Sequence, residues 1–159
     1  MFILVFKCMN ESPTPKLWNP NAATLWSLIF SPVFGAWIHA KNWEELGVQE
    51  ESKNSMMWVY GGLIFLVLIL IVPMPDALGR YIGLGFLIAW NFSSATKQVD
   101  YVKSLPTYEK KAWSKPLLAG LCGIFVYFTV AFGLTIATEP SLTTTLESKS
   151  VSMVTHSVW

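Results

Sequence analysis

Gly62-Leu-Ile-Phe-Leu-Val-Leu-Ile-Leu-Ile-Val72, followed at once by Pro73-Met-Pro-Asp76, decides the fold of this chain. The run is apolar on every side of a helix, as expected of a helix facing lipid. Read from Met56, it approaches the roughly 20 residues that cross a hydrocarbon layer at about 1.5 Å each. Two prolines in four residues cannot continue a helix, and Asp76 is placed to cap the next one. The sequence therefore predicts an antiparallel hairpin that turns at residues 73–76. Arg80 follows Asp76 by four positions, so the pair is expected to share a face at the membrane surface.

Three further stretches resemble the first in composition. They run over residues 22–40, 77–95 and 117–137, and with 56–72 they hold no Asp, Glu or Lys, Arg80 being the single charge. The expectation is an all-α integral membrane helical bundle with three to four transmembrane helices. Residues 1–21 read as an N-terminal extension, 22–137 as the bundle and 138–159 as a flexible Ser/Thr-rich tail. Segment 22–40 is the most polar of the four. Asn19-Pro20 suits a helix start, but Ser27, Ser31, Pro32 and His39 lower its hydropathy, leaving open a shallow re-entrant or interfacial helix in place of a span.

Composition agrees with a lipid solvent. Hydrophobic residues make up 53% of the 159, with eight Trp and ten Phe. Charged residues are 13%, about half the quarter usual in soluble domains. The formal net charge of +1 gives no reason to expect nucleic-acid binding. Cys8 and Cys122 read as two unpaired thiols. The apolar Met1–Phe6 is short for a signal peptide and its Lys7 comes after the run, so no cleavable signal is expected; translation from Met1 or from Met9 stays open. The stretches 41–55 and 96–115 carry seven Lys and Arg against four elsewhere, which places both loops in the cytoplasm. Four spans put both termini outside; an interfacial first segment moves the N-terminus inside. Trp18, Trp43, Trp58, Tyr60, Tyr81, Tyr101, Tyr108 and Trp113 fall near segment ends, where amphipathic rings prefer to sit.

Lipid tails give helices no hydrophobic reason to associate, so close packing must do it. Ala23, Ser27, Ser31 and Gly35 recur every fourth residue. Gly79 and Gly83 do the same in the third segment, as do Gly85, Ala89 and Ser93, while the fourth offers Ala119 and Gly123. These stripes are expected to pack inside the bundle, with docking of a partner as the functional alternative.

Leu17-Trp-Asn-Pro-Asn-Ala-Ala23, with Trp26-Ser-Leu-Ile-Phe-Ser-Pro32 and Phe34-Gly-Ala36, resembles a segment recurring in a family of small bacterial inner-membrane proteins. The resemblance covers residues 17–47 and implies a bacterial inner-membrane setting; it implies no catalytic residue.

The sequence holds no HExxH, paired CxxC, Walker A, GxSxG or GxGxxG pattern, and neither His39 nor His156 has a neighbour at metal-ligand spacing. No cofactor or metal is expected. Asn91 reads as a cross-helix hydrogen bonder and His39 as a residue of the membrane boundary. The expected function is that of a non-enzymatic multi-pass membrane protein acting through protein contacts: an accessory subunit, a regulator or an immunity protein. Its expected partners are the lipid bilayer and a protein partner or a second copy of itself. The alternative is a small oligomeric channel or transporter with Ser27, Asn91 and Ser93 toward the pore. A membrane enzyme using Asp76, Arg80 or Asp100 ranks third.

Overall fold

The computed structural model describes residues 14–72 and 75–138, without the side chains of Asp76 and Thr138. The chain is all-helical. In order it forms β1 (Lys16–Leu17), α1 (Pro20–Ile29), α2 (Pro32–Glu45), α3 (Gln49–Ile71), α4 (Asp76–Trp90), a π-helical turn (Asn91–Ala95), α5 (Thr96–Ser104), β2 (Glu109–Lys110) and α6 (Ser114–Thr138). The two short strands pair in parallel, Lys16 opposite Glu109. Residues up to Leu121 form one compact unit and those from Cys122 a second.

Segment 22–40 is not one helix. Ser31 is extended (φ 156°, ψ 163°), and its hydroxyl accepts a bond from the Phe34 N–H as the cap of a new helix that begins at Pro32. The reason is local: proline disfavours the helical conformation in the residue before it and suits the first position of a helix. Asn19 caps α1 as expected, accepting from the Asn21 N–H, with Pro20 at its first turn. The two helices fold back on each other. Gly35 lies so close to Ser27 that an added Cβ would collide with its hydroxyl and come within 2.6 Å of the Trp90 ring. At the open end of this hairpin the Asn42 side chain bonds the Trp18 backbone.

A Schellman turn carries α2 into α3. Gly47, at φ +74°, takes the left-handed conformation that glycine adopts without a side-chain clash, while the N–H groups of Gly47 and Val48 bond the carbonyls of Glu44 and Trp43. α3 runs antiparallel to α2. The Ser52 hydroxyl donates to the Ala40 carbonyl at 3.1 Å, and Val33 fills the space over Gly62. α4 returns along α3, with Phe65 stacked on Phe86 at 5.0 Å, so the antiparallel hairpin expected around residues 73–76 forms. Its cap is Pro75 and not Asp76. The side chain of Asp76 lies outside the described residues, and Arg80 is exposed.

Two helices are long and apolar enough to cross a membrane, Gln49–Ile71 and residues 114–137 of α6. At 1.5 Å per residue they are roughly 34 and 36 Å long, against a hydrocarbon core of about 30 Å. Both wear their apolar side chains outward: Ile64 is 62% exposed and Phe125 73%. The third expected span, 77–95, is divided between α4 and the π turn. Within the second unit α6 continues as a regular helix in which Thr129 and Thr135 donate to the carbonyls four residues back. The N-terminal extension up to residue 13 and the tail from 139 lie outside the described residues.

Candidate functional site

The centre of the first unit is polar. Ser27, His39, Asn42, Ser52, Ser55, Ser94 and Gln98 are all buried, most of them completely. They come from α2 and from four segments that meet around it, α1, α3, the π turn and α5. Gln98 links three of the groups: its Nε2 donates to the His39 carbonyl at 2.8 Å and its Oε1 accepts from Asn42 Nδ2 at 3.1 Å. Asn42 in turn donates to the Trp18 carbonyl and accepts from the Trp18 N–H, so one amide satisfies a backbone segment that no helix pairs. Buried amides of this kind fix which residues face each other, because a slip of register would leave each group unpaired. Ser55 and Ser94 hydroxyls meet at 3.4 Å between α3 and the π turn.

His39 is fully buried within the first unit. Trp90 stands edge-on to it, with ring centroids 5.6 Å apart. Neither ring nitrogen makes a hydrogen bond of standard geometry. Burial lowers its pKa from 6.5 to about 4, against a smaller opposing pull from the Pro20 carbonyl. The imidazole is therefore neutral at pH 7. Trp43 is likewise a core residue, 3% exposed, and not an interfacial ring.

Charged pairs ring this layer. Lys97 meets Glu51 at 3.4 Å, Lys111 meets Glu45 at 3.0 Å, and Lys16 meets Glu109 at 3.0 Å. Lys111 also sits 4.7 Å over the Trp18 ring, and the Trp18 indole donates to the Ala112 carbonyl. The segment 105–113 is thereby tied to α2 and to the chain at residues 16–18. Each exposed pair contributes about 0–1 kcal/mol, so their role is to hold a loop in place, not to stabilise the fold.

Beside the polar layer lies an open groove of about 380 Å³ between α1 on one wall and the π turn with α5 on the other. Asn21, Thr24 and Leu25 line the first wall; Asn91, Asp100 and Lys103 line the second. The π turn makes the second wall possible. It inserts one extra residue into a helical rod, its Thr96 N–H bonding the Asn91 carbonyl, and such turns are frequent at functional sites. The extra residue lets Trp90, Ser94 and Gln98 face the core while Asn91 and Asp100 face the groove. Asn91 does not bond across helices: its half-buried side-chain amide has no partner. Asp100 and Lys103 pair with each other at 3.2 Å on the rim.

The small-residue stripes divide into filled and open ones. Ser27 and Gly35 face each other within the α1–α2 hairpin, and Ser31 is its helix cap. A Cβ built on Gly83, Gly85 or Gly123 meets nothing within 4 Å, and Gly123 belongs to the second unit. Gly79 is half-buried. Sequence reasoning missed Asn42, Gln98, Ser55, Ser94 and Trp90. The signal for three of these positions was present, since Trp90, Ser94 and Gln98, continued by Val102, recur every fourth residue and are all buried.

Among the described residues, no three His, Cys, Asp or Glu side chains group closely enough to hold a metal ion. No family model, curated protein or solved structure matches the chain.

Proposed function

We propose that this is a multi-pass membrane protein of the bacterial inner membrane that works by helix contact with a protein partner and not by catalysis. On this reading α3, the α4–π rod and α6 cross the bilayer, and the α1–α2 hairpin enters from one side and leaves on the same side. The hairpin and the charged ring then lie with the Lys-rich loops, which the positive-inside rule assigns to the cytoplasm.

The observation that carries the contact function is the open face of α4. Gly85, Ala89 and Ser93 are exposed at four-residue spacing, and nothing stands over Gly85, whereas Gly35 and Gly62 are covered. Small residues at this spacing let a second helix approach closely, which is how helices associate in lipid. The pore alternative has less behind it: Ser27 is spent inside the hairpin, where its hydroxyl bonds the Ala23 carbonyl.

The test is recovery of partners from native membranes in mild detergent, comparing the wild type with Gly85→Leu and Ala89→Leu. Loss of a stoichiometric foreign partner in both variants, with unchanged membrane content, is expected. Unchanged recovery in both variants overturns the assignment of this face.

A further inference from the structure

We infer that the groove between α1 and the π turn is a binding site for a single phospholipid with a primary-ammonium, zwitterionic headgroup. This rests on the membrane reading above. At about 380 Å³ the groove falls within the ~300–1,000 Å³ of ordinary small-molecule sites, and its two walls differ along their length in the way a phospholipid does.

At the polar end the wall offers one cation and one anion, Lys103 and Asp100. The side-chain amides of Asn21 and Asn91 also line it, one on each wall, neither with a hydrogen-bond partner among the described residues. Beyond them the walls turn apolar. Leu25 lines the groove, and Leu28 and Ile29 continue its face of α1; Ile88, three residues before Asn91, continues the opposite face, all of them well exposed.

The balance of charge selects the headgroup. An anionic phosphoglycerol headgroup would satisfy Lys103 but bring Asp100 only neutral hydroxyl donors, weaker than a charge-assisted pair. A phosphate joined to a primary ammonium exchanges the Asp100–Lys103 pair for two intermolecular ones, phosphate to Lys103 and ammonium to Asp100. A quaternary ammonium has no N–H to donate to Asp100. The amides of Asn21 and Asn91 can donate to the glycerol ester carbonyls, and the acyl chains then run along Leu25, Leu28 and Ile88.

The experiment is native mass spectrometry of the purified full chain after exchange into mixed micelles of phosphatidylethanolamine, phosphatidylcholine and phosphatidylglycerol at equal content. One retained phosphatidylethanolamine is expected, favoured by up to about fivefold over each competitor, the upper end for an exposed ionic pair at ~1 kcal/mol. Asp100→Asn should remove the preference over phosphatidylcholine and Lys103→Gln should weaken retention, whereas Lys110→Gln, away from the groove, should change neither. Equal retention of the three lipids, or an unchanged preference in Asp100→Asn, overturns the proposal. Equally tight capture of soluble phosphoethanolamine overturns the lipid as its source. Carbonate extraction of the same cells separates the two readings: a membrane-retained protein without headgroup preference sinks only the groove assignment, and a protein released by carbonate sinks the membrane reading with it.

Discussion

At the scale of the residue, the polar layer is where sequence and fold differ most. His39 is a buried titratable group with the Pro20 carbonyl beside it, enclosed by Trp90 and the Gln98–Asn42 bridge. Its folded pKa is depressed, so the unfolded chain binds a proton that the folded chain refuses. Stability is then complete above pH 6.5 and falls as the pH drops from 6.5 toward 4. The loss over that window is about 3 kcal/mol. His39→Leu should abolish this part of the acid sensitivity at little cost at pH 7, where leucine forfeits only the weak contact with the Pro20 carbonyl; chemical denaturation followed by tryptophan fluorescence at pH 7 and pH 4.5 measures both. Asn42 behaves oppositely. Asn42→Leu strands the Trp18 N–H, the Trp18 carbonyl and one lone-pair partner of Gln98, and should cost about 3 kcal/mol. In a double-mutant cycle with Gln98→Leu the two costs should fall short of additive, because the pair share one bond.

At the scale of the element, the decisive feature is Ser31-Pro32. The run of apolar residues across 22–40 suggested a span because hydropathy sums over a window and takes no account of a dipeptide that ends one helix and begins another. The cap at Asn19, the break between α3 and α4 and the helical nature of the four segments were legible, since each depends on neighbours in sequence. The burial of His39 and Trp43 was not, because it depends on α3 and the α4–α5 rod closing over α2 from residues far along the chain. The π turn was equally hidden: nothing in Asn91-Phe-Ser-Ser-Ala95 distinguishes it from ordinary helix until Trp90, Ser94 and Gln98 must all be buried. Gly35→Ala should destabilise by about 1–3 kcal/mol, as overpacking does, since Ser27 and the Trp90 ring leave no room. Gly83→Ala, with open space around it, should change stability by less than about 0.5 kcal/mol. Thermal unfolding of the two variants side by side checks the distinction between a filled stripe and an open one.

At the scale of the whole molecule, the membrane reading makes a topological claim. A hairpin that returns to its own side sets residue 16 and the loops 46–48 and 105–113 in one compartment. Replacing Ser31 and Pro32 together by alanine should fuse α1 and α2 into a single helix long enough to cross, moving Lys16 to the opposite face. Single-cysteine labelling at position 16 with a membrane-impermeant maleimide, in a background lacking Cys8 and Cys122, should read opposite accessibility in the wild type and the variant. Identical labelling counts against the hairpin as the device that sets topology.

The hairpin also bears on how the protein is made. α1 and α2 leave the ribosome before the groups that complete their core, Ser55, Trp90, Ser94 and Gln98, which are translated up to some sixty residues later. Until then Asn42 holds only the Trp18 backbone and His39 lacks the Trp90 ring, so on the membrane reading an insertion machinery meeting this apolar stretch alone gains little by releasing it into lipid. The first segment of the chain is thus the last to settle, and its placement belongs to the completed protein, not to the emerging one.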